Sequence, residues 1–276
     1  MKVWVNGELL DDDSSRVAAF DHGLTAGDGV FETIAVRADQ PLAVTRHLAR
    51  LVRSAVALGL PAPDTSALRR AVDEVIEAEG VADAVVRVVY TSGSGPLGSD
   101  RGGGEPTSAV LLGSAPERPP ATDVITVPWP RNERGALAGV KTTSYAENVL
   151  ALSEARRHGA SEVLFANTAG NLCEGSGANV FLAFDGRLVT PPLSAGCLAG
   201  VTRALIIDRC GLDVDERDVP ITALGDAEEA FLTSATRNVQ AIRAIDGRAL
   251  PSCPGPWTEA AAAAYAKLQE SDPDPA

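Results

Sequence analysis

Lys141 stands out because of the company it keeps. The chain holds 24 Lys and Arg residues, and only Lys2, Lys141 and Lys267 among them are lysine. Lys2 and Lys267 lie near the termini. Lys141 sits centrally, in Gly139-Val140-Lys141-Thr142-Thr143-Ser144-Tyr145, at the entrance to an apolar helix. A guanidinium keeps its proton and is a poor nucleophile, whereas a desolvated amine can form a Schiff base and carry a proton. A solvated surface lysine is the bland account of Lys141 taken alone, so its neighbours must decide.

A Schiff-base lysine commonly serves pyridoxal 5'-phosphate. That cofactor needs donors for its phosphate, a carboxylate for its ring nitrogen and a hydrogen bond to its phenolic oxygen. Helix N-termini, hydroxyls and arginine suit the phosphate. Leu198-Ala199-Gly200-Val201-Thr202-Arg203 runs into the helix ALIIDRC and offers amides and a hydroxyl. Thr233-Ser234-Ala235-Thr236 ends a strand in a second hydroxyl-rich turn, and Arg50 in His47-Leu48-Ala49-Arg50-Leu51 offers a clamp. Glu174, in Cys173-Glu174-Gly175-Ser176-Gly177-Ala178-Asn179, lies among small residues that let a flat ring approach the backbone. Tyr145 follows the lysine by four residues. In isolation Thr202 reads equally as a helix cap and Arg50 as a helix-surface arginine.

Other chemistries lack their signatures. Gly93-Ser94-Gly95-Pro96-Leu97-Gly98 matches a dinucleotide glycine pattern, but SDRGGGEP follows it and cannot open a helix. No Walker loop, nucleophile elbow or HExxH motif is present. His22, His47 and His158 stand in turn or helix-end contexts that read as structural. Four widely spaced cysteines without a CxxC pair argue for free thiols and against a structural zinc site, and no metal is expected. A net charge of −13 speaks against nucleic acid and anionic membrane surfaces. No apolar run suits a transmembrane helix or a signal peptide, which reads as a cytoplasmic protein.

The elements that must carry these residues read as α+β. A hairpin is expected around Asn6-Gly7, strands at 30–36, 41–44, 84–90 and 108–112, and helices at 46–58 and 67–79. A proline-rich stretch, 115–123, reads as a linker between an N-terminal domain (1–114) and a C-terminal domain (124–276). Beyond it, strands are expected at 124–127, 162–166, 179–184, 187–190, 230–233 and 239–245, and helices at 146–158, 202–210 and 257–269. The end, ESDPDPA, is expected to fray.

The motifs, in this order, resemble the fold-type IV (class IV) pyridoxal-phosphate enzymes: branched-chain aminotransferases, D-amino-acid aminotransferases and 4-amino-4-deoxychorismate lyases. The resemblance runs from Asp21-His22-Gly23 and Gly27-Asp28-Gly29-Val30-Phe31-Glu32-Thr33 through the HLARL helix, Lys141, the Glu174 loop and Gly200-Val201-Thr202-Arg203 to the TSAT turn. It implies a small α/β N-terminal domain, a barrel-like C-terminal domain and a homodimer. It implies that Lys141 is the Schiff-base lysine and proton shuttle, and that Glu174 is the ring-nitrogen partner. Arg50, the Val201 amide, Thr202 and the Ala235–Thr236 turn would hold the phosphate, with Tyr145 at the phenolic oxygen. Ala235 stands where some relatives have a threonine. GDGVFET, LAGVTR and Arg237-Asn238-Val239-Gln240 look lyase-like, which implies elimination of pyruvate from aminodeoxychorismate to give 4-aminobenzoate for folate. The alternative is an aminotransferase of D- or branched-chain amino acids. Either substrate is a small anionic amine, with Arg87, Arg101 and Arg131 as candidate carboxylate binders.

Overall fold

Asn6 and Gly7 take positive φ angles of 48° and 101°, the conformation a two-residue hairpin needs. They join β1 (Lys2–Val5) to β2 (Glu8–Asp11) as the sequence predicts. The computed structural model describes residues 1–117 and 119–276. It divides into two compact units. Unit 1 comprises Met1–Pro116 together with Val140–Tyr145 and Asp272–Ala276, and unit 2 comprises Glu117–Gly139 and Ala146–Ser271. The partition is therefore discontinuous, unlike the two unbroken segments expected, and the Lys141 segment groups with unit 1. Within the expected linker, Arg118 lies outside the described residues, and a strand already begins at Ala121.

Unit 1 continues with α1 (His22–Thr25), β3 (Gly29–Arg37), β4 (Gln40–Pro41), α2 (Val44–Ala57), α3 (Thr65–Glu79), β5 (Ala84–Thr91) and β6 (Thr107–Ser114). Its strands form an antiparallel sheet in the order β2-β1-β6-β5-β3-β4. The expected strand at 41–44 is only the end of β4, because Val44 already opens α2. Side chains alternate across β3, so its residues divide between two faces. Val30, Ile34 and Val36 join the core with Leu48, Leu51 and Ala55 of α2 and Leu68, Val72, Val75 and Ile76 of α3. Phe31 and Thr33 take the other face, where Thr33 pairs in register with Arg87 of β5. Asp64 caps α3 through Ser66 and Ala67, and Gly80 ends it at φ 60°.

No such cap opens α2. Ala43 occupies the cap position in the left-handed region, with no side-chain hydrogen bond. Asp274 supplies the acceptor instead: its carboxylate takes the Thr45 amide at 2.8 Å and the Thr45 hydroxyl at 2.7 Å. Arg69 donates to the same carboxylate at 2.7 Å, and the Ala43 amide donates to the Pro273 carbonyl at 2.6 Å. The tail expected to fray is tied down because a helix N-terminus binds a carboxylate from any source.

Unit 2 contains β7 (Ala121–Thr126), α4 (Ala146–Arg157), β8 (Glu162–Ala166), β9 (Leu172–Glu174), β10 (Asn179–Phe184), β11 (Arg187–Thr190), α5 (Val201–Arg209), β12 (Val214–Glu216), β13 (Glu229–Ser234), β14 (Asn238–Ile245), β15 (Arg248–Ala249) and α6 (Pro256–Ser271). The sheet runs β12-β11-β10-β13-β14-β7-β8-β9, with β15 on β14. It is parallel at β14–β7, β7–β8 and β11–β12 and antiparallel elsewhere. The α+β reading holds. Val124, Leu164, Val180, Leu182, Leu232 and Ile242 centre its core. Ala151 and Ala155 lay α4 on Val163 and Phe165. Glu229 does for α6 what Asp274 does for α2, accepting the Trp257 and Thr258 amides, each at 2.9 Å. Among the described residues no helix is long and apolar enough to cross a membrane, and the four cysteines are free.

Candidate active site

Lys141 is fastened by its backbone rather than by a regular element. The Phe31 amide donates to the Lys141 carbonyl at 3.0 Å, and the Thr143 amide to the Gly29 carbonyl at 2.8 Å. The segment thereby extends β3 with a short antiparallel bridge at Val30 and Thr142. The Lys141 amide also donates to Ser54 Oγ on α2 at 3.3 Å. These ties aim the amine at an aromatic wall. Lys141 Nζ is 4.4 Å from the Phe31 ring centre and 5.7 Å from that of Tyr145. The two rings meet edge to face, 5.2 Å apart. Arg87 sits over the Phe31 ring as well, with Cζ at 4.7 Å. The outward face of β3 thus carries an amine, a guanidinium and two aromatic rings.

The inward face carries Glu32, which is completely buried. Its carboxylate accepts from Arg50 Nε at 2.7 Å and Nη2 at 2.6 Å, and bonds His47 Nδ1 at 2.7 Å. Burial pushes the Glu32 carboxyl up, but the Arg50 charge and the hydrogen bonds outweigh it and bring the group down to about 2. Burial pushes His47 down, against the pull of Glu32, so the ring is neutral. Arg50 is therefore a buried, bidentate partner rather than a helix-surface arginine. Spacing put His47 and Arg50 on one helical face. Within VFETIAV Glu32 looks like an ordinary strand residue, and nothing local marks it as their partner.

In unit 2, Glu174 ends β9, where the Leu198 amide donates to its Oε2 at 2.9 Å. Arg131 Nε lies 3.9 Å from Oε1. The Leu198 carbonyl accepts from Asn179 Nδ2 at 2.9 Å. Leu198 thus joins Glu174 to the entrance of α5. There Val201 and Thr202 begin the helix behind Gly200, which provides no side-chain cap. A Cβ at Gly200 would collide with Asn179 Oδ1, so glycine here leaves Asn179 free to keep its bond to the Leu198 carbonyl. Thr202 is buried, with its hydroxyl 3.4 Å from that of Tyr265. Across the β10–β13 ladder Asn179 pairs with Thr233, whose Oγ1 is buried without a hydrogen-bond partner. Ala235 and Thr236 follow in a half-buried turn.

Unit 1 therefore brings together Lys141 and Tyr145, and joins their segment to α2, which carries Arg50. Unit 2 gathers Glu174, Val201 and Thr202 around Leu198 and Asn179, with Ala235 and Thr236 at the end of β13. The donor set suits pyridoxal 5'-phosphate. An uncapped helix start, a glycine with no room for a side chain and an orphaned buried hydroxyl suit a phosphate. A carboxylate held by one amide and flanked by an arginine suits a protonated ring nitrogen.

The three candidate carboxylate binders separate clearly. Arg101 is consumed: it grips Asp28 at 2.6 and 2.7 Å and the Leu58 and Gly59 carbonyls at 2.8 and 3.0 Å. Its role is to tie the glycine-rich loop to α2, which corrects the expectation for this residue. Arg131 reaches Glu147 at 3.1 Å and lies over the Phe165 ring. Arg87 is exposed, and its hydrogen bond to Thr33 Oγ1 is long, at 3.5 Å.

Comparison with known proteins agrees with this picture. Residues 29–245 match the family model for amino-transferase class IV. The bifunctional aminodeoxychorismate lyase / D-amino acid transaminase of Mycobacterium tuberculosis is 31% identical, over 92% of this chain and 94% of that protein. The solved branched-chain aminotransferase of Thermoproteus uzoniensis, with norvaline, superposes with a TM-score of 0.91 at 30% identity, covering 97% of this chain and 94% of that one. The PLP-bound form of a hypothetical aminotransferase from Mycobacterium tuberculosis gives a TM-score of 0.88 at 31% identity, covering 99% and 100%.

Proposed function

Because the chain belongs to the class IV aminotransferase family, whose enzymes use pyridoxal 5'-phosphate, we propose that it is a 4-amino-4-deoxychorismate lyase releasing pyruvate and 4-aminobenzoate for folate synthesis. The observation that carries the reading is the pairing of Lys141 and Arg87 on one aromatic ring, Phe31. It sets an amine able to move a proton beside a guanidinium able to hold a carboxylate. The lyase is favoured over its relatives by GDGVFET, by LAGVTR and by the likeness to the bifunctional enzyme.

The residues divide the work as follows. Arg50, the Val201 amide, Thr202 and the turn at Ala235 and Thr236 hold the phosphate. Glu174 keeps the ring nitrogen protonated, and Tyr145 donates to the phenolic oxygen. When bound, the cofactor supplies an electron sink for the carbon bearing the substrate amine. Lys141 Nζ takes the proton from that carbon. Phe31 and Tyr145 fix the place of the amine through contact with their rings. Arg87 anchors a substrate carboxylate. We extend the proposal to a cytoplasmic homodimer. Phe20, Leu24 and Leu97 are 58%, 72% and 75% exposed, and the bonds Gly95 N to Phe20 O and His22 Nε2 to Pro96 O bring their segments together in unit 1.

A second reading, amino transfer from D- or branched-chain amino acids, draws on the likeness to the Thermoproteus uzoniensis structure. The experiment is to supply aminodeoxychorismate without any keto acid and to measure pyruvate and 4-aminobenzoate. Release without an acceptor supports the lyase. Amino transfer to 2-oxoglutarate that greatly outpaces this release overturns it. Lys141→Ala should abolish both activities and the visible absorbance of the bound cofactor.

A further inference from the structure

One buried polar cluster in unit 2 has no role in the chemistry above. Glu162 opens β8 and Arg237 directly follows the turn of Ala235 and Thr236; they are 2% and 8% exposed. Arg237 Nη2 lies 3.2 Å from Glu162 Oε2. A buried ion pair is tolerated only when its other donors and acceptors are satisfied. Here they are met by two different loops. Glu162 Oε1 accepts the Ser176 amide at 2.9 Å and the Ser176 hydroxyl. Arg237 donates to the Ser161 carbonyl at 3.0 Å and to Gln240 Oε1, and its amide donates to Ser234 Oγ at 3.1 Å. Gln240 in turn donates to the Pro119 carbonyl at 2.7 Å. Gly175 lies against the same carboxylate: a Cβ there would stand 3.2 Å from Glu162 Cδ.

Ser176 stands two residues beyond Glu174, and Arg237 one residue beyond Thr236. We propose that the Glu162–Arg237 ion pair is a positioning element that locks the Glu174 loop and the 234–236 turn to each other. The carboxylate for the ring nitrogen and the donors for the phosphate are then set by one network. The proposal rests on the cofactor roles assigned above. A charged, directional pair suits the task better than apolar packing, because its geometry is fixed by several hydrogen bonds at once. Glu162 acts through Ser176; the Arg237 guanidinium, fixed by Gln240, holds residue 237 in place, and the Arg237 backbone amide holds Ser234 Oγ.

The test is a spectroscopic titration of pyridoxal 5'-phosphate into apoprotein, with circular dichroism and thermal melting as controls on folding. Glu162→Gln and Arg237→Met should each weaken binding by about tenfold or more. Their double variant should bind within about threefold of the weaker single variant, since both break one unit. Ser176→Ala should weaken binding several-fold and shift the absorbance maximum of the bound cofactor, with little change in melting temperature. If the charge variants do not fold, Ser176→Ala and Arg237→Lys decide. Binding and spectrum equal to wild type in the folded variants overturn the proposal, as does a double variant whose loss is the product of the single losses. Glu174→Ala separates the ring-nitrogen role from the positioning role. If it leaves binding and spectrum unchanged, the ring-nitrogen assignment fails. If it alters them while Ser176→Ala and the Arg237 variants do not, only the positioning element fails.

Discussion

Glu32 grips Arg50 from two sides, with Oε1 on Nε at 2.7 Å and Oε2 on Nη2 at 2.6 Å, inside the core of unit 1. The grip fixes the plane of a guanidinium that would otherwise rotate with its long side chain. It also leaves each charge dependent on the other.

Glu32→Ala should therefore cost about 3–5 kcal/mol, because it strands Arg50 as an uncompensated buried charge. It should also weaken cofactor binding, as Arg50 loses its orientation. Urea unfolding and a binding titration measure the two effects separately. A variant as stable as wild type contradicts the burial argument.

The same cluster sets a pH dependence in two stages. His47 is neutral in the fold and its proton affinity lies below the ordinary 6.5, so the unfolded chain takes up the proton first. Stability should fall as pH drops below 6.5, by up to about 1.4 kcal/mol per pH unit. Glu32 acts lower: its stabilisation is full above 4.5 and is lost as pH falls toward about 2. Urea titrations at several pH values should show both stages in wild type, and only the lower one in His47→Gln.

Arg87→Gln should raise KM for the carboxylate-bearing substrate by about 10- to 100-fold, the worth of a charged hydrogen bond. The change in kcat should be much smaller, because Arg87 anchors rather than reacts. Arg87→Lys should recover only part of the loss, since a point charge replaces a planar fork. Equal KM in all three proteins would remove Arg87 from the site.

Asp274→Ala should destabilise α2 by about 0.5–2 kcal/mol, the range for a lost helix cap. Thermal melting should show a fall of about 2–4 °C for each kcal/mol lost. Unchanged melting would mean that solvent caps the helix equally well.

Much of this was legible from residue types and spacing. Leu48, Leu51, Ala55 and Leu58 announce α2, and the lone central lysine points to its chemistry. The strands at 162–166, 179–184 and 187–190 are read to the residue because each is apolar and bounded by turn residues. What escaped was non-local. The cap of α2 is an aspartate 229 positions away from Thr45, so no local pattern marks the helix start at Val44 or the anchoring of the tail. The exclusion of Arg101 depends on Asp28 and two carbonyls that no local pattern reveals. β9 and β12 are too short, at three residues each, for any periodicity to form.

The discontinuity of unit 1 sets an order of events during synthesis. Its first 116 residues leave the ribosome early, but Lys141 comes later and Asp274 only after all of unit 2 has been made. At about 5–20 residues per second, Thr45 waits roughly 10–50 s for its capping carboxylate. Over that interval α2 has its apolar face but not its N-terminal anchor. The helix bearing His47 and Arg50 is then completed last, with the lysine segment already in place beside it.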